Sequence, residues 1–164
     1  MALLGLISDT HGHLDPRVEP AFVGVDAILH AGDVCASRVL HELGALGVPV
    51  TAVEGNCDSW EMPHEGLPAS ARIEVEGVRI LVVHDRGDAR GAGLAGVDVV
   101  VHGHTHRPQV ERVAGVLWVN PGSAWKAGKS GIGRSVGLLQ VSPGGDVDAR
   151  IVALDAYGPK PPKG

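Results

Sequence analysis

Apolar positions along this chain come in short runs rich in β-branched residues, and each run breaks off into polar ones. LLGLIS (3–8) leads into DTHGH, DAILH (26–30) into AGD, GVPVTAV (47–53) into EGNCD, VRILVVH (78–84) into DRGD, and VDVVVH (97–102) into GHTH. Continuous apolar runs of this length predict strands buried on both faces, as in an α/β sheet. The helical signals between them are weaker. Ser37 is placed to cap a helix over 38–46 in which Val39, Leu40, Leu43 and Leu46 share one face. Asp15 followed by Pro16 reads as a helix start that Pro20 limits to a turn or two. Glycine at 87, 91, 93 and 96 weakens any helix over 86–96. From residue 69 the pattern turns to hairpins, with tight turns expected at Glu76-Gly77, Ala114-Gly115 and Pro143-Gly144-Gly145. An α/β first half thus leads into a more antiparallel second half.

The length of 164 residues fits one domain, expected over 1–156, with YGPKPPKG (157–164) as an exposed or disordered tail. Aromatic content is only 3%, so the core must be built from Val, Leu, Ile and Ala. The net charge of −5 argues against a protein that grips nucleic-acid backbone, yet leaves room for a small anion if the site itself is positive. Cys35 and Cys57 form no CxxC pair, so neither a disulfide framework nor a zinc ribbon is expected. The opening MALLGLISDT lacks a basic n-region and meets Asp9 at once, which reads as a buried strand and not a signal peptide. No stretch approaches the ~20 apolar residues of a membrane span. A cytoplasmic protein without a membrane partner is expected.

The chemistry gathers after the strands. Ligands in open α/β sheets collect outside the carboxyl ends of strands, and there the sequence places Asp9 with His11, Asp33, Asn56 with Asp58, His84, and His104 with His106. Any one of these is explained as well by a turn or a cap, which Asp and Asn favour. Together, two carboxylates, four histidines and one amide exceed what a single tetrahedral zinc takes. They suit two divalent cations a few Å apart, with mixed oxygen and imidazole donors favouring Mn²⁺, Fe or Zn²⁺ over calcium. Two such ions outweigh the two carboxylates, so an acidic chain can still offer a positive pocket. GSAWKAGKSGIGR (122–134) is not a phosphate-binding P-loop, because Gly122 lies one residue too far from Gly128-Lys129-Ser130. Lys126, Lys129 and Arg134 read instead as a mobile basic loop. His30 and His102 read as core, His41 and His64 as surface, and Trp60 and Trp125 as packing residues or walls of the crevice.

The blocks DTH (9–11), GD (32–33), GNCD (55–58), His84 and GHTH (103–106) resemble, in order, those of the calcineurin-like metallophosphoesterases. NPGS (120–123) is similar to a motif of that family's small phosphodiesterase branch. The resemblance implies an α/β sandwich of two mixed β-sheets flanked by helices. It implies that Asp9, His11 and His106 hold one metal, Asn56, His84 and His104 a second, and that Asp33 bridges them. It further implies in-line attack on a phosphodiester by a metal-bridging hydroxide, with Mn²⁺ the expected ion and Fe, Zn²⁺ or Ni²⁺ the others.

Two departures stand out. Many family members carry His after the Asn of GN, where it is thought to protonate the leaving group; here it is Cys57, and a buried thiol is a poor acid. His13 is the substitute candidate, alongside Asp33 and Asn56 as catalytic residues. Asp85 follows His84 where Gly is common. Asp58 and Cys57 are expected to support the ligands without binding metal. A small phosphodiester is the expected substrate. The rivals are a nuclease, which the short acidic chain disfavours, and an interaction scaffold like the retromer subunit of this fold, which has lost some metal histidines. Antiparallel edge strands would permit a homo-oligomer.

Overall fold

In a computed structural model, which describes residues 1–162, ten strands form two five-stranded sheets. The first runs β10 (Val147–Ala153), β9 (Ser135–Val141), β1 (Ala2–Ile7), β2 (Ala27–His30), β3 (Val50–Ala52). The second runs β4 (Ser70–Val75), β5 (Val78–Val83), β6 (Val99–Val101), β8 (Val116–Asn120), β7 (Gln109–Val113). Both sheets are mixed: β1, β2 and β3 are parallel, as are β5, β6 and β8, while antiparallel strands form both edges of the second sheet and the β10 edge of the first, whose other edge is the parallel strand β3. The second half is therefore less uniformly antiparallel than its hairpins imply. Their turns fall as expected: Glu76-Gly77 and Ala114-Gly115 both have positive φ at successive positions, the backbone that two-residue hairpin loops require.

Alternation inside the unbroken apolar runs explains the layering. Leu4 and Leu6 of β1 face the other sheet, where they meet Ile80, Val82, Val99, Val101 and Val119. Ile7, on the opposite face, packs with Val18, Val39 and Leu43 beneath α1 (Val18–Ala21) and α2 (Ser37–Gly44). A smaller cluster of Leu81, Val83, Ala89, Val100 and Trp118 covers the outside of the second sheet under α4 (Ala89–Ala92). The strands β1 and β2 are thus sandwiched, which is why the sequence shows runs where a one-sided sheet would show strict alternation, while β3 is a half-buried edge strand.

The helix expected at 38–46 runs from Ser37 to Gly44 with Ala36 at its N-cap, and no side chain caps it. The Ser37 hydroxyl donates instead to the Glu65 carboxylate, tying the helix to the loop after α3 (Asp58–Glu61). Arg134, read from sequence as part of a mobile basic loop, is buried: it pairs with Asp15 at 2.8 Å and lies 3.9 Å over the Trp125 ring. Asp15 also binds Arg17, which reaches Asp155 and the Gly158 carbonyl in the tail. Trp60 is 85% exposed and neither packs nor lines the crevice. No helix among the described residues is long and apolar enough to cross a membrane.

Candidate metal centre

The parallel registers align the strand ends. Ile7 sits opposite His30, Val82 opposite Val101, and Val101 opposite Val119, so the chain leaves β1, β2, β5 and β6 along one edge of the sandwich. There the loops after β1, β2, β3, β5 and β6 bring the seven expected ligands together, as two trios with Asp33 between them. In the first, His106 Nε2 is 3.2 Å from Asp9 Oδ1 and 3.2 Å from His11 Nε2. In the second, Asn56 Oδ1 is 2.9 Å from His84 Nε2 and 3.1 Å from His104 Nδ1. Asp33 Oδ2 stands between them, 3.8 Å from His11 Nε2 and 3.5 Å from His84 Nε2.

The remaining atoms of these side chains are held from behind. Asp9 Oδ2 accepts from Ser8 Oγ at 2.6 Å and from the His104 amide at 3.0 Å, while its buried Oδ1 has no hydrogen-bond partner. Asp33 Oδ1 accepts from the Cys57 amide at 2.9 Å, which leaves Oδ2 for the centre. His84 Nδ1 donates to the Ala31 carbonyl at 2.7 Å, which turns its Nε2 toward Asn56 and Asp33. A buried carboxylate oxygen with no hydrogen-bond partner, set among imidazole nitrogens and an amide oxygen, gives the mixed oxygen and nitrogen donors that suit divalent cations.

The backbone shows what this convergence costs. Asp9, His11, Asp33, His104 and His106 all have positive φ, between 47° and 70°. Side chains rarely adopt that conformation without a compensating role. Gly55 and Gly103 are needed for another reason, close approach. A Cβ on Gly55 would lie 2.3 Å from Asp33 Oδ1, and one on Gly103 2.6 Å from Asp9 Oδ2 and 2.0 Å from Ser8 Oγ. The glycines of GN and GH are thus the floor over which the carboxylates pass.

Several further side chains brace these loops from behind. Asp58, 2% exposed, accepts from the Cys35 amide at 2.8 Å and the Gly55 amide at 2.7 Å, and so joins two ligand loops. Asn120 donates to the Gly103 carbonyl and to Thr105 Oγ1, and Ser123 Oγ donates to the Asp9 carbonyl at 2.7 Å, which gives the NPGS segment its purpose. Asp85 was legible only as a departure; its Oδ2 lies 3.7 Å from His104 Nε2 and its Oδ1 accepts from the Gly87 amide. His13 stands outside both trios. Its ring stacks on Trp125 at 4.4 Å and its Nδ1 accepts from Arg38 at 3.0 Å. One expectation is overturned: Cys35 and Cys57 are joined in a disulfide, so Cys57 carries no thiol proton. Separated by 22 residues, the pair has no local signature, and only the folded loops bring it together.

Two cavities lie on this part of the molecule, one of them lined by candidate ligands and the other by residues beyond them. One of about 280 Å³ is lined by Glu54, Asn56, His84, Asp85, Asp88 and His104, and the other, about 380 Å³, by His13, Arg38, Glu42, Trp125 and Pro161 among others. The first is acidic beyond its ligands, and the second carries a guanidinium and two aromatic rings.

The model of the calcineurin-like phosphoesterase superfamily domain matches residues 2–144. This chain belongs to that superfamily. It is 39% identical to a probable metallophosphoesterase of Methanothermobacter thermautotrophicus, over 74% of this chain and 76% of the relative. A phosphodiesterase of Escherichia coli K12 is 31% identical over 85% of this chain and 88% of its own. Among solved structures, Vps29 from Entamoeba histolytica in complex with Zn²⁺ superposes with a TM-score of 0.70 at 23% identity, covering 93% of this chain and 99% of that one. A predicted phosphoesterase from Streptococcus pneumoniae gives 0.70 at 19%, covering 94% and 90%. At these identities the two structures show the fold, while the sequence relatives make this phosphoesterase a hydrolase of phosphoesters.

Proposed function

We propose that the chain is a metal-dependent phosphodiesterase with a dinuclear centre, acting on small phosphodiesters. The observation that carries the reading is the position of Asp33 Oδ2 between the two trios, within 3.8 Å of an imidazole nitrogen of each. Asp9, His11 and His106 would hold one divalent ion, Asn56, His84 and His104 the other, and Asp33 both; Mn²⁺ is the ion expected from the family resemblance, and the mixed donors also accommodate Fe, Zn²⁺ or Ni²⁺. Such ions supply Lewis acidity toward the phosphoryl oxygens and lower the pKa of water.

The chain's own residues do the rest. Asp9 and Asp33 bring the counter-charge, and their hydrogen-bonded second oxygens keep the first ones aimed. Lys126 lies close enough to His11 to act on its charge, and with Arg38 it makes the flank toward the larger cavity positive. That cavity receives one ester group. Arg38 donates to His13 Nδ1, which leaves the Nε2–H of the ring free to hydrogen-bond, and we assign His13 to stabilise the departing alkoxide through that bond.

The Vps29 structures share the fold, and one of them is described as complexed with Zn²⁺. Metal binding alone therefore does not separate an enzyme from a scaffold; turnover does. Metal-stripped protein supplied with Mn²⁺ should hydrolyse an aryl phosphodiester, and Asp33→Asn should lose at least a hundredfold in kcat/KM. His13→Ala should slow alkyl esters more than p-nitrophenyl ones. A folded protein inert with Mn²⁺, Zn²⁺, Fe²⁺ and Ni²⁺ would leave the scaffold as the better reading.

A further inference from the structure

The two cysteines sit on two different ligand loops. Cys35 follows Asp33 by two residues, Cys57 follows Asn56 directly, and their Cα atoms are 5.9 Å apart, a normal span for a bridge. Each backbone amide is already committed to the centre or its support: Cys57 N–H donates to Asp33 Oδ1 at 2.9 Å and Cys35 N–H to Asp58 Oδ1 at 2.8 Å. Cys35 has φ +61°, the same unfavourable region as the ligands around it, so something must hold it there. Its Sγ lies 3.7 Å from His11 Nδ1, on the side of the ring away from Asp9 and His106. Both residues are only half-buried, within reach of a small thiol.

We propose that the Cys35–Cys57 bridge is a positioning clamp on the metal centre, fastening the Asp33 loop to the Asn56 loop so that metal affinity falls when the bridge is reduced. The inference rests on the reading of Asp33 and Asn56 as ligands. Asp33 is the shared donor and Asn56 belongs to the second trio, so slack between their loops spreads the distance on which holding two ions together depends. The amide of Cys57 adds a direct link, since any shift of that residue turns the Asp33 carboxylate.

Opening and closing balance as thiol–disulfide exchange. A thiolate of a low-molecular-weight thiol attacks one sulfur and displaces the other cysteine as a thiolate, which is then protonated. A second thiol resolves the mixed disulfide, so that two small thiols become one small disulfide while the protein gains two electrons and two protons. A small disulfide drives the reverse.

The test compares Mn²⁺ binding by the oxidised protein, the same protein reduced with a phosphine, and Cys35→Ser/Cys57→Ser. Free-thiol counts verify each state, and binding is followed by electron paramagnetic resonance at a temperature where all three are folded by circular dichroism. The oxidised form should bind two Mn²⁺ with a spin-coupled signal. The reduced form should bind the second ion about tenfold more weakly, the scale on which groups supporting metal ligands act. The double-serine protein should match the reduced form and ignore oxidant. Equal affinity in the oxidised and reduced states would overturn the clamp while leaving the metal centre intact. A double-serine protein that still responded to oxidant would overturn it too. Absence of Mn²⁺ binding in every form would overturn the reading of the ligands themselves, and the clamp with it.

Discussion

Asp85 illustrates how much of this centre is held one residue behind the ligands. His104 presents Nδ1 to Asn56 and turns Nε2 toward Asp85 Oδ2 at 3.7 Å, a charge contact longer than a hydrogen bond that favours the ring orientation with Nδ1 facing the centre. Asp85→Ala should therefore weaken Mn²⁺ binding about tenfold or more, measured by calorimetric titration of metal-stripped protein. An unchanged affinity would reduce Asp85 to a cap on the following turn. The proposed ligands also carry strain: five of the seven have positive φ, at about 1–3 kcal/mol for each such residue. The sequence names these residues but not their strain, because φ is a property of the loop and not of the residue type. Nor does it reveal the Cys35–Cys57 link, which exists only once two loops far apart in the chain have met.

At the level of elements, strand ends and glycines place the site. The five apolar runs read from the sequence do become β1, β2, β3, β5 and β6, and each delivers its polar residues to the same edge. They were legible because each run is short, rich in β-branched residues and bounded by turn residues, the pattern that buried strands leave. The parallel pairing of β8 with β6 was not, because β8 also belongs to a hairpin with β7, and only the hairpin has a local signal. Helix ends were poorly legible for the same reason, since Ser37 spends its hydroxyl on Glu65 rather than on a cap. The packing of these elements against one another makes a sharp demand at Gly103. Gly103→Ala puts a methyl group where Ser8 Oγ and Asp9 Oδ2 now lie. It should cost about 1–3 kcal/mol of stability, as overpacking does, seen as a lower urea midpoint, and it should loosen the first trio's hold on metal. A variant as stable and as metal-competent as the parent would contradict that packing.

The whole molecule responds to pH through histidines that pull in opposite directions. Burial holds His30 down at about 4, its Nδ1 already accepting from the Gly32 amide; burial, with Arg86 nearby, does the same for His102. Unfolded, both titrate near 6.5, so the stability they contribute is full above that pH. It is lost as pH falls toward 4, at no more than about 1.4 kcal/mol per pH unit each. His84 runs the other way. Burial opposes its charge, but the Asp33 hydrogen bond and the Asp9 charge outweigh it and raise it to about 9. In the metal-free protein that contribution is full below about 6.5 and is lost as pH rises toward 9. Urea midpoints in chelator should therefore be higher at pH 6.5 than at pH 5 or pH 9, and a monotonic profile would contradict this balance.

The pairing of β1 with β9 also has a consequence in time. Ala2 lies opposite Val141 and Leu6 opposite Gly137, yet every proposed ligand precedes residue 107. A nascent chain has made all seven donors while the strand that aims Asp9 and His11 still lacks its neighbour on one side. Non-local pairing of this kind is slow. The cation pocket is early in synthesis and late in assembly, so metal loading belongs after the last hairpin has closed.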